Sequence, residues 1–322
     1  MREEVLRVDG LKVWYSVGGS YVKAVDGVSF TVYRGEVFGI AGESGCGKST
    51  LVSSLVLLKP PMRHMGGRAL FHGKDLFSMS GEELRKIRYK GISIIPQFAL
   101  DALSPTKRIR DIILDLAAVH EPNLTKREVL ERAEERLRLV SLSPKVLDMY
   151  PVELSGGMRQ RAVLVVSTLF NPELLIADEV TSALDVTTQR VVLELLLEFL
   201  KAGIIGSIVA VTHDIASLYQ IADRMMIMYA GKVVEIGPAE ELVKRPRHPY
   251  TQALISSIPS LGVTYKEKRL SGLKGSPPNL RDPPPGCRFA PRCPYAFERC
   301  GEEPPAVELG GGHVFYCWLG VR

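Results

Sequence analysis

Gly42-Glu43-Ser44-Gly45-Cys46-Gly47-Lys48-Ser49-Thr50 is the stretch on which the reading of this chain turns. It matches G-x-x-x-x-G-K-[ST] and stands between an apolar run ending near Ile40 and a second apolar run, residues 51–58, that reads as a helix. That strand, loop and helix order is what separates a phosphate-binding loop from a chance match. Glycines let main-chain N–H groups converge on phosphate oxygens, and the helix N-terminus adds its partial positive charge. Lys48 is expected to neutralise the outer phosphates of a nucleotide and Ser49 to ligate Mg²⁺. Gly42, Ser44, Gly45, Cys46, Gly47 and Thr50 complete the cradle, with Cys46 read as a small filler rather than a nucleophile.

Outward from the loop, Val5–Val8, Leu11–Tyr15, Val28–Val32 and Val37–Ile40 alternate apolar and polar residues between Gly and Asp turns, as short strands do. Residues 82–90 are charged and read as a surface helix. Thr125–Val140 has helical periodicity, with Val129, Leu130, Ala133, Leu137 and Val140 on one face and many Glu and Arg opposite. The stretch from about 101 to 169 reads as a mostly helical subdomain. Leu174–Ala177 and Ser207–Val211 are short and wholly apolar, the pattern of buried parallel strands. Arg224–Tyr229 and Lys232–Glu235 read as the last strands. Leu174-Leu-Ile-Ala-Asp178-Glu179 ends in two carboxylates. Asp178 suits the Mg²⁺ shell, and Glu179 suits activation of a water against the γ-phosphate.

Leu154-Ser155-Gly-Gly157-Met-Arg-Gln160-Arg161 is a second glycine-bearing helix start, with Ser155 as N-cap. It resembles the signature of ABC ATPases, and the rest of the chain follows that family's order. The resemblance implies an α/β fold: a P-loop NTPase core of ABC type, an N-terminal antiparallel β-subdomain, a helical subdomain and an irregular, metal-binding C-terminal extension. It implies that Ser155 and Gly157 face the ATP of a second subunit paired head to tail. Gln97 in Ile95-Pro-Gln97 resembles the glutamine that links Mg²⁺ and the attacking water to the helical subdomain. Ser182-Ala-Leu-Asp185 resembles the segment that crosses to the partner, and His213 the switch histidine at the γ-phosphate. Tyr15 is placed where the family stacks an aromatic on adenine, with Tyr21 as a rival.

The 322 residues suit one large domain plus an extension. With 46% hydrophobic and 24% charged residues the composition is that of an ordinary globular protein, and the net charge of +5 is mild. The run Val191–Leu200 is broken by Glu194 and Glu198 and is shorter than the about 20 residues that span a bilayer. Met1–Val8 lacks the apolar core of a signal peptide. A cytosolic chain that reaches the membrane through partners is expected.

From about Arg245 the composition shifts, and twelve of the 21 prolines lie beyond it. Residues 1–245 are therefore assigned to the ATPase domain and 246–322 to the extension. His248-Pro-Tyr250-Thr251-Gln-Ala-Leu-Ile-Ser-Ser-Ile-Pro259 and the tail around Pro285-Gly-Cys287-Arg-Phe-Ala-Pro-Arg-Cys293 are similar to the oligopeptide, dipeptide and nickel importer ATPases. After Gln97, Phe98-Ala-Leu-Asp-Ala-Leu-Ser-Pro105 departs from the commoner Asp-Pro run. Four of the five cysteines, Cys287, Cys293, Cys300 and Cys317, fall in the tail without the paired C-x₂-C knuckles of zinc ribbons. Their spacing leaves a cluster, zinc or thiols open; the resemblance implies a [4Fe–4S] cluster.

The leading expectation is the ATP-hydrolysing subunit of an importer at the cytoplasmic face of the membrane. Its partners would be a second, different ABC ATPase, two transmembrane permease subunits and, indirectly, an extracellular solute-binding protein, with no nucleic acid. A soluble ABC ATPase is the alternative, but repair types insert long coiled coils between the phosphate loop and the signature, where only 57 positions separate Gln97 from Leu154 here. Translation types carry two ATPase units per chain, where this one has one. An ATP-gated, non-catalytic scaffold would not need Lys48, Asp178, Glu179 and His213 together.

Overall fold

The computed structural model describes residues 2–97, 102–182, 184–258, 273 and 275–321. Two compact units share the chain, and neither is continuous in sequence. One holds Lys74–Val211 with residues 32–35 and the first few residues; the other holds Leu6–Thr31, Glu36–Gly73 and Thr212–Arg322.

In the first unit, strands Ile92–Ile95, Leu174–Asp178 and Ile208–Val211 run parallel, with Ile94 opposite Ile176 and Ile176 opposite Val209. Every residue of Leu174–Asp178 and Ile208–Val211 is buried, which explains their unbroken apolar sequence. Helices Ile109–His120, Lys126–Leu139, Gly156–Thr168 and Val186–Lys201 belong to the same unit. Lys126–Leu139 starts on a capping box: the Glu128 N–H donates to Thr125 Oγ1, and the Thr125 N–H to Glu128 Oε2. It buries Val129, Ala133 and Leu137 as the periodicity predicts, and Leu130 is half-buried. Arg136 departs from the charged outer face. It is buried, donates to Asn171 Oδ1 at 2.5 Å and lies 5.6 Å from the Phe199 ring centroid, so its guanidinium finds partners inside. Among the described residues no helix is long and apolar enough to cross a membrane.

In the second unit, strands Ser20–Tyr33, Glu4–Val17 and Met62–Phe71 form an antiparallel sheet in that order. The sequence predicts separate strands on either side of Asp9-Gly10. The structure instead carries one strand through, with a register shift between Asp9 and Lys12. The Gly10 N–H, displaced from the ladder, donates to Ser29 Oγ at 2.8 Å. A second sheet has Val37–Ala41 parallel to Arg224–Tyr229, which turns back into Lys232–Pro238. The C-terminal region then adds two short antiparallel strands, Val314–Tyr316 and Ala306–Glu308, beside Lys232–Pro238. Among the described residues most of the proline-rich remainder is irregular, with short 3₁₀ turns at Ala290–Arg292 and Glu298–Gly301.

Candidate functional site

Strand Val37–Ala41 delivers the chain into the glycine loop, and helix Lys48–Val56 leaves it. Gly42 has φ +152°, and a Cβ there would stand 2.2 Å from the Met228 carbonyl oxygen. Gly47 has φ +104°, and its Cβ would stand 2.0 Å from the Ala24 carbonyl oxygen. Only glycine fits either position. The Cys46 carbonyl accepts from the Gly231 N–H at 2.8 Å, and the Cys46 side chain is buried under Gly42. Burial raises the pKa of its thiol, so it fills space as a neutral group. Lys48 is only 4% exposed and donates to the carbonyls of Gly42 (2.7 Å) and Glu43 (3.1 Å). Ser44 and Gly45 form the exposed tip, with Ser49 and Thr50 half-buried behind it. A cradle too tight for side chains, an exposed tip and a lysine at a helix start fit a polyphosphate.

Tyr15 hydrogen-bonds through its hydroxyl to Thr50 Oγ1 at 3.0 Å. Its strand neighbour Trp14 instead meets Tyr21, with ring centroids 5.8 Å apart, and Lys23. Strand alternation thus separates the two candidate aromatics. His213 is exposed, directly after Thr212, whose N–H donates to the Ile40 carbonyl. Asp214 caps the following helix Ile215–Ile221.

The first unit brings together three of the other expected residues. Asp178 is the last residue of its strand and 2% exposed; Glu179 follows at 9%. Gln97 donates from Nε2 to Glu179 Oε2 at 2.8 Å. Glu179 has φ +49°, a left-handed backbone that a glutamate adopts only when its surroundings impose it. Its N–H donates to the Val211 carbonyl, and its own carbonyl accepts from Ser182 Oγ at 2.7 Å. Ser155 caps helix Gly156–Thr168, accepting from the Met158 N–H at 3.3 Å. Gln160 in that helix reaches the Val180 carbonyl at 2.8 Å. Asp185 caps Val186–Lys201 through Thr188, whose N–H and hydroxyl hold its carboxyl below the usual range. Gly157 faces that same Thr188. Of the departure after Gln97, residues 98–101 lie outside the described residues, as do Ala183 and Pro259.

The [4Fe–4S] expectation is corrected here. Among the described residues no group of three or more His, Cys, Asp or Glu side chains is placed to hold a metal ion. Cys287, Cys293, Cys300 and Cys317 form no disulfide and border a cavity of about 10 Å³, room for a single water at most. Burial pushes the Cys287 thiol up to about 11 and raises Cys293 and Cys317 as well. The arginines beside two of these cysteines in sequence point their charge elsewhere: Arg288 pairs with Asp26, and Arg292 with Glu43.

That last pair is one that sequence reasoning missed. Arg292 donates to both carboxylate oxygens of Glu43, at 2.7 and 3.1 Å, and to the Tyr229 hydroxyl at 3.1 Å. The Glu43 N–H donates to the Tyr250 hydroxyl at 2.9 Å. No periodicity or motif links residues this far apart, and only the position of Glu43 inside the loop marked it.

Residues 25–182 match the family described as ABC transporter, and 234–300 match the oligopeptide/dipeptide transporter C-terminal region. The chain is similar to the dipeptide transport ATP-binding protein DppD of Caldanaerobacter subterraneus, at 42% identity over 98% of this chain and 97% of the relative. It is similar to the oligopeptide transport ATP-binding protein OppD of Escherichia coli at 37%, over 99% and 94%. Among solved structures it resembles the dimeric, post-hydrolysis ATP-binding cassette MJ0796 bound to ADP and Pi, with TM-score 0.64, 26% identity and coverage of 73% and 98%.

Proposed function

The chain belongs to the ABC transporter family, among the ATP-binding subunits of dipeptide and oligopeptide transporters, and on that premise we propose how its residues divide the work of ATP-driven peptide import. The observation that carries the reading is the glycine cradle closed by Met228 and Ala24, with Lys48 buried at its base.

Main-chain N–H groups of Gly42–Lys48 and the Lys48 ammonium bind the phosphates, and the Tyr15 ring stacks on the adenine. Ser49, Gln97 and Asp178 would hold Mg²⁺, which would supply charge compensation for the phosphates. Glu179 takes the proton of the attacking water. Gln97, hydrogen-bonded to that carboxylate, fixes its orientation and reports its state to the helices of residues 101–169. His213 contacts the γ-phosphate. Ser155 and Gly157 complete the site of a second ATPase, and Asp185 lies in the segment that crosses to it.

Residues 1–245 form the ATPase domain and 246–322 the importer-type extension. The subunit works with a second, different ATPase and two permease subunits at the cytoplasmic face of the membrane, and a solute-binding protein delivers the peptide. A hollow of about 440 Å³ bordered by Tyr89, Ile94, Leu103, Ile112 and Leu116, with Lys107 and Asp115 also in its wall, suits a permease helix that is apolar on one face and polar on the other.

Reconstitution with the cognate permeases in liposomes tests this. Labelled peptide should accumulate only with ATP, and Lys48→Ala should abolish both uptake and hydrolysis. Hydrolysis that neither permease nor peptide alters would favour a soluble ATPase instead.

A further inference from the structure

We propose that the C-terminal region is a latch on the phosphate loop, with Arg292 as a positioning residue that neutralises Glu43 and thereby sets the affinity for ATP. The inference rests on reading Gly42–Thr50 as the nucleotide's phosphate site.

Glu43 is an awkward residue for such a site. Its carboxylate belongs to the loop that must receive a polyanion, directly before the exposed tip Ser44–Gly45. Left alone, that charge would repel the ligand and could swing across the tip. Arg292, with its side chain 5% exposed, removes both problems through a two-pronged pair that fixes the carboxylate plane as well as its charge. The guanidinium is itself fixed by the Tyr229 hydroxyl and lies 5.6 Å from that ring's centroid. A lysine has the charge without the planar fork.

The loop's main chain is held from the same side. The Tyr250 hydroxyl accepts from the Glu43 N–H. Tyr229, Tyr250 and Phe289 are buried against one another, with centroids 4.6, 5.2 and 5.4 Å apart. Arg288 pairs with Asp26 and donates to the carbonyls of Ala230 and Lys23, next to the residues that wall Gly47. The segment matched by the oligopeptide/dipeptide C-terminal family thus reaches the loop through two side chains, Tyr250 and Arg292, while Arg288 holds residues beside it. A buried ion pair is weak evidence of stabilisation in itself. Its placement on the one carboxylate within the phosphate loop gives it a use in binding.

The test is equilibrium titration of the purified full-length chain with ATP and Mg²⁺. Arg292→Met should weaken binding by roughly 5- to 50-fold, within the range of an ordinary coupling between sites. Adding Glu43→Gln to Arg292→Met removes the charge that needs neutralising and should recover most of the loss, which a merely structural arginine would not allow. Arg292→Lys should fall between wild type and Arg292→Met. Wild-type affinity in Arg292→Met, or a double variant no better than the single, overturns the latch. Should Arg292→Met fail to fold, wild-type affinity in Arg292→Lys overturns it instead. A wild-type chain that binds no ATP removes the phosphate-loop reading itself, whereas binding that is indifferent to position 292 removes only the latch.

Discussion

The two glycine-bearing helix starts are built on opposite principles. At Lys48–Val56 the glycines serve the chain's own geometry: Gly42 and Gly47 have positive φ and main chain within 2.2 Å of where a Cβ would stand. At Gly156–Thr168 neither reason applies. A Cβ on Gly156 would meet nothing within 4 Å, one on Gly157 would only touch Thr188 at 3.8 Å, and neither residue has a left-handed backbone. Ordinary Ser capping would let most residues follow Ser155. The absence of side chains there makes sense for something that approaches from outside, as the proposal of a nucleotide held between two subunits requires. One helix start is walled by the chain's own backbone, and the other leaves its glycines open.

The largest effect separates binding from turnover. Glu179→Gln should leave ATP affinity intact and slow hydrolysis by the assembled transporter about 10²- to 10⁴-fold, the worth of a positioned general base. Steady-state phosphate release measures it, and unchanged turnover would strip Glu179 of its role. The next effect sets the two glycines against each other. Gly47→Ala forces a Cβ onto the Ala24 carbonyl and should lower ATP affinity of the chain at least about tenfold, with a strain cost of about 1–3 kcal/mol. Gly157→Ala should leave affinity in the isolated chain unchanged and stabilise it by about 0.5 kcal/mol, as expected where the backbone is compatible. In the assembled transporter it should still cut hydrolysis roughly tenfold. If Gly157→Ala weakens ATP binding by the isolated chain, the contrast between the two starts collapses.

A pH dependence is expected in the loop-bearing unit, read as the slope of stability against pH. His248 is buried there, its Nδ1 accepts from the Tyr250 N–H, and desolvation lowers its pKa to about 3. An unfolded chain takes up a proton near pH 6.5, while the folded one stays neutral until about 3. Stability is therefore full above pH 6.5 and falls as pH drops toward 3, by at most about 1.4 kcal/mol per pH unit. Both tryptophans, Trp14 and Trp318, lie in this unit, so fluorescence-detected urea unfolding reads it. His248→Asn should flatten the slope between pH 6.5 and 5; an unaltered slope would mean that other groups carry it.

What the sequence made legible follows the range of the forces involved. The cradle, the strand ending in Asp178-Glu179 and the Ser155 cap are local patterns, in which residues a few positions apart decide the outcome. Gly10 reads as a turn in sequence because its role as a bulge depends on strand Met62–Phe71, which arrives some fifty residues later. Arg136 looked like a surface charge because Asn171 and Phe199 are invisible to periodicity. The tail misled for the opposite reason: four cysteines in a proline-rich segment looked like ligands, yet the arginines between them turn to Asp26 and Glu43, and the thiols line a water-sized space. Tyr250 and Arg292 drew notice as parts of a familiar segment, with no sign that they reach the loop.

The separation of Glu43 and Arg292 along the chain also has a consequence for biosynthesis. The loop leaves the ribosome early, but its arginine is made 249 residues later. At about 5–20 residues per second, roughly 12–50 s pass before the carboxylate can be neutralised. A nascent or prematurely terminated chain would therefore carry the phosphate motif without its counter-charge. On such chains the motif would bind ATP more weakly, and full affinity would mark chains whose translation has gone past Arg292.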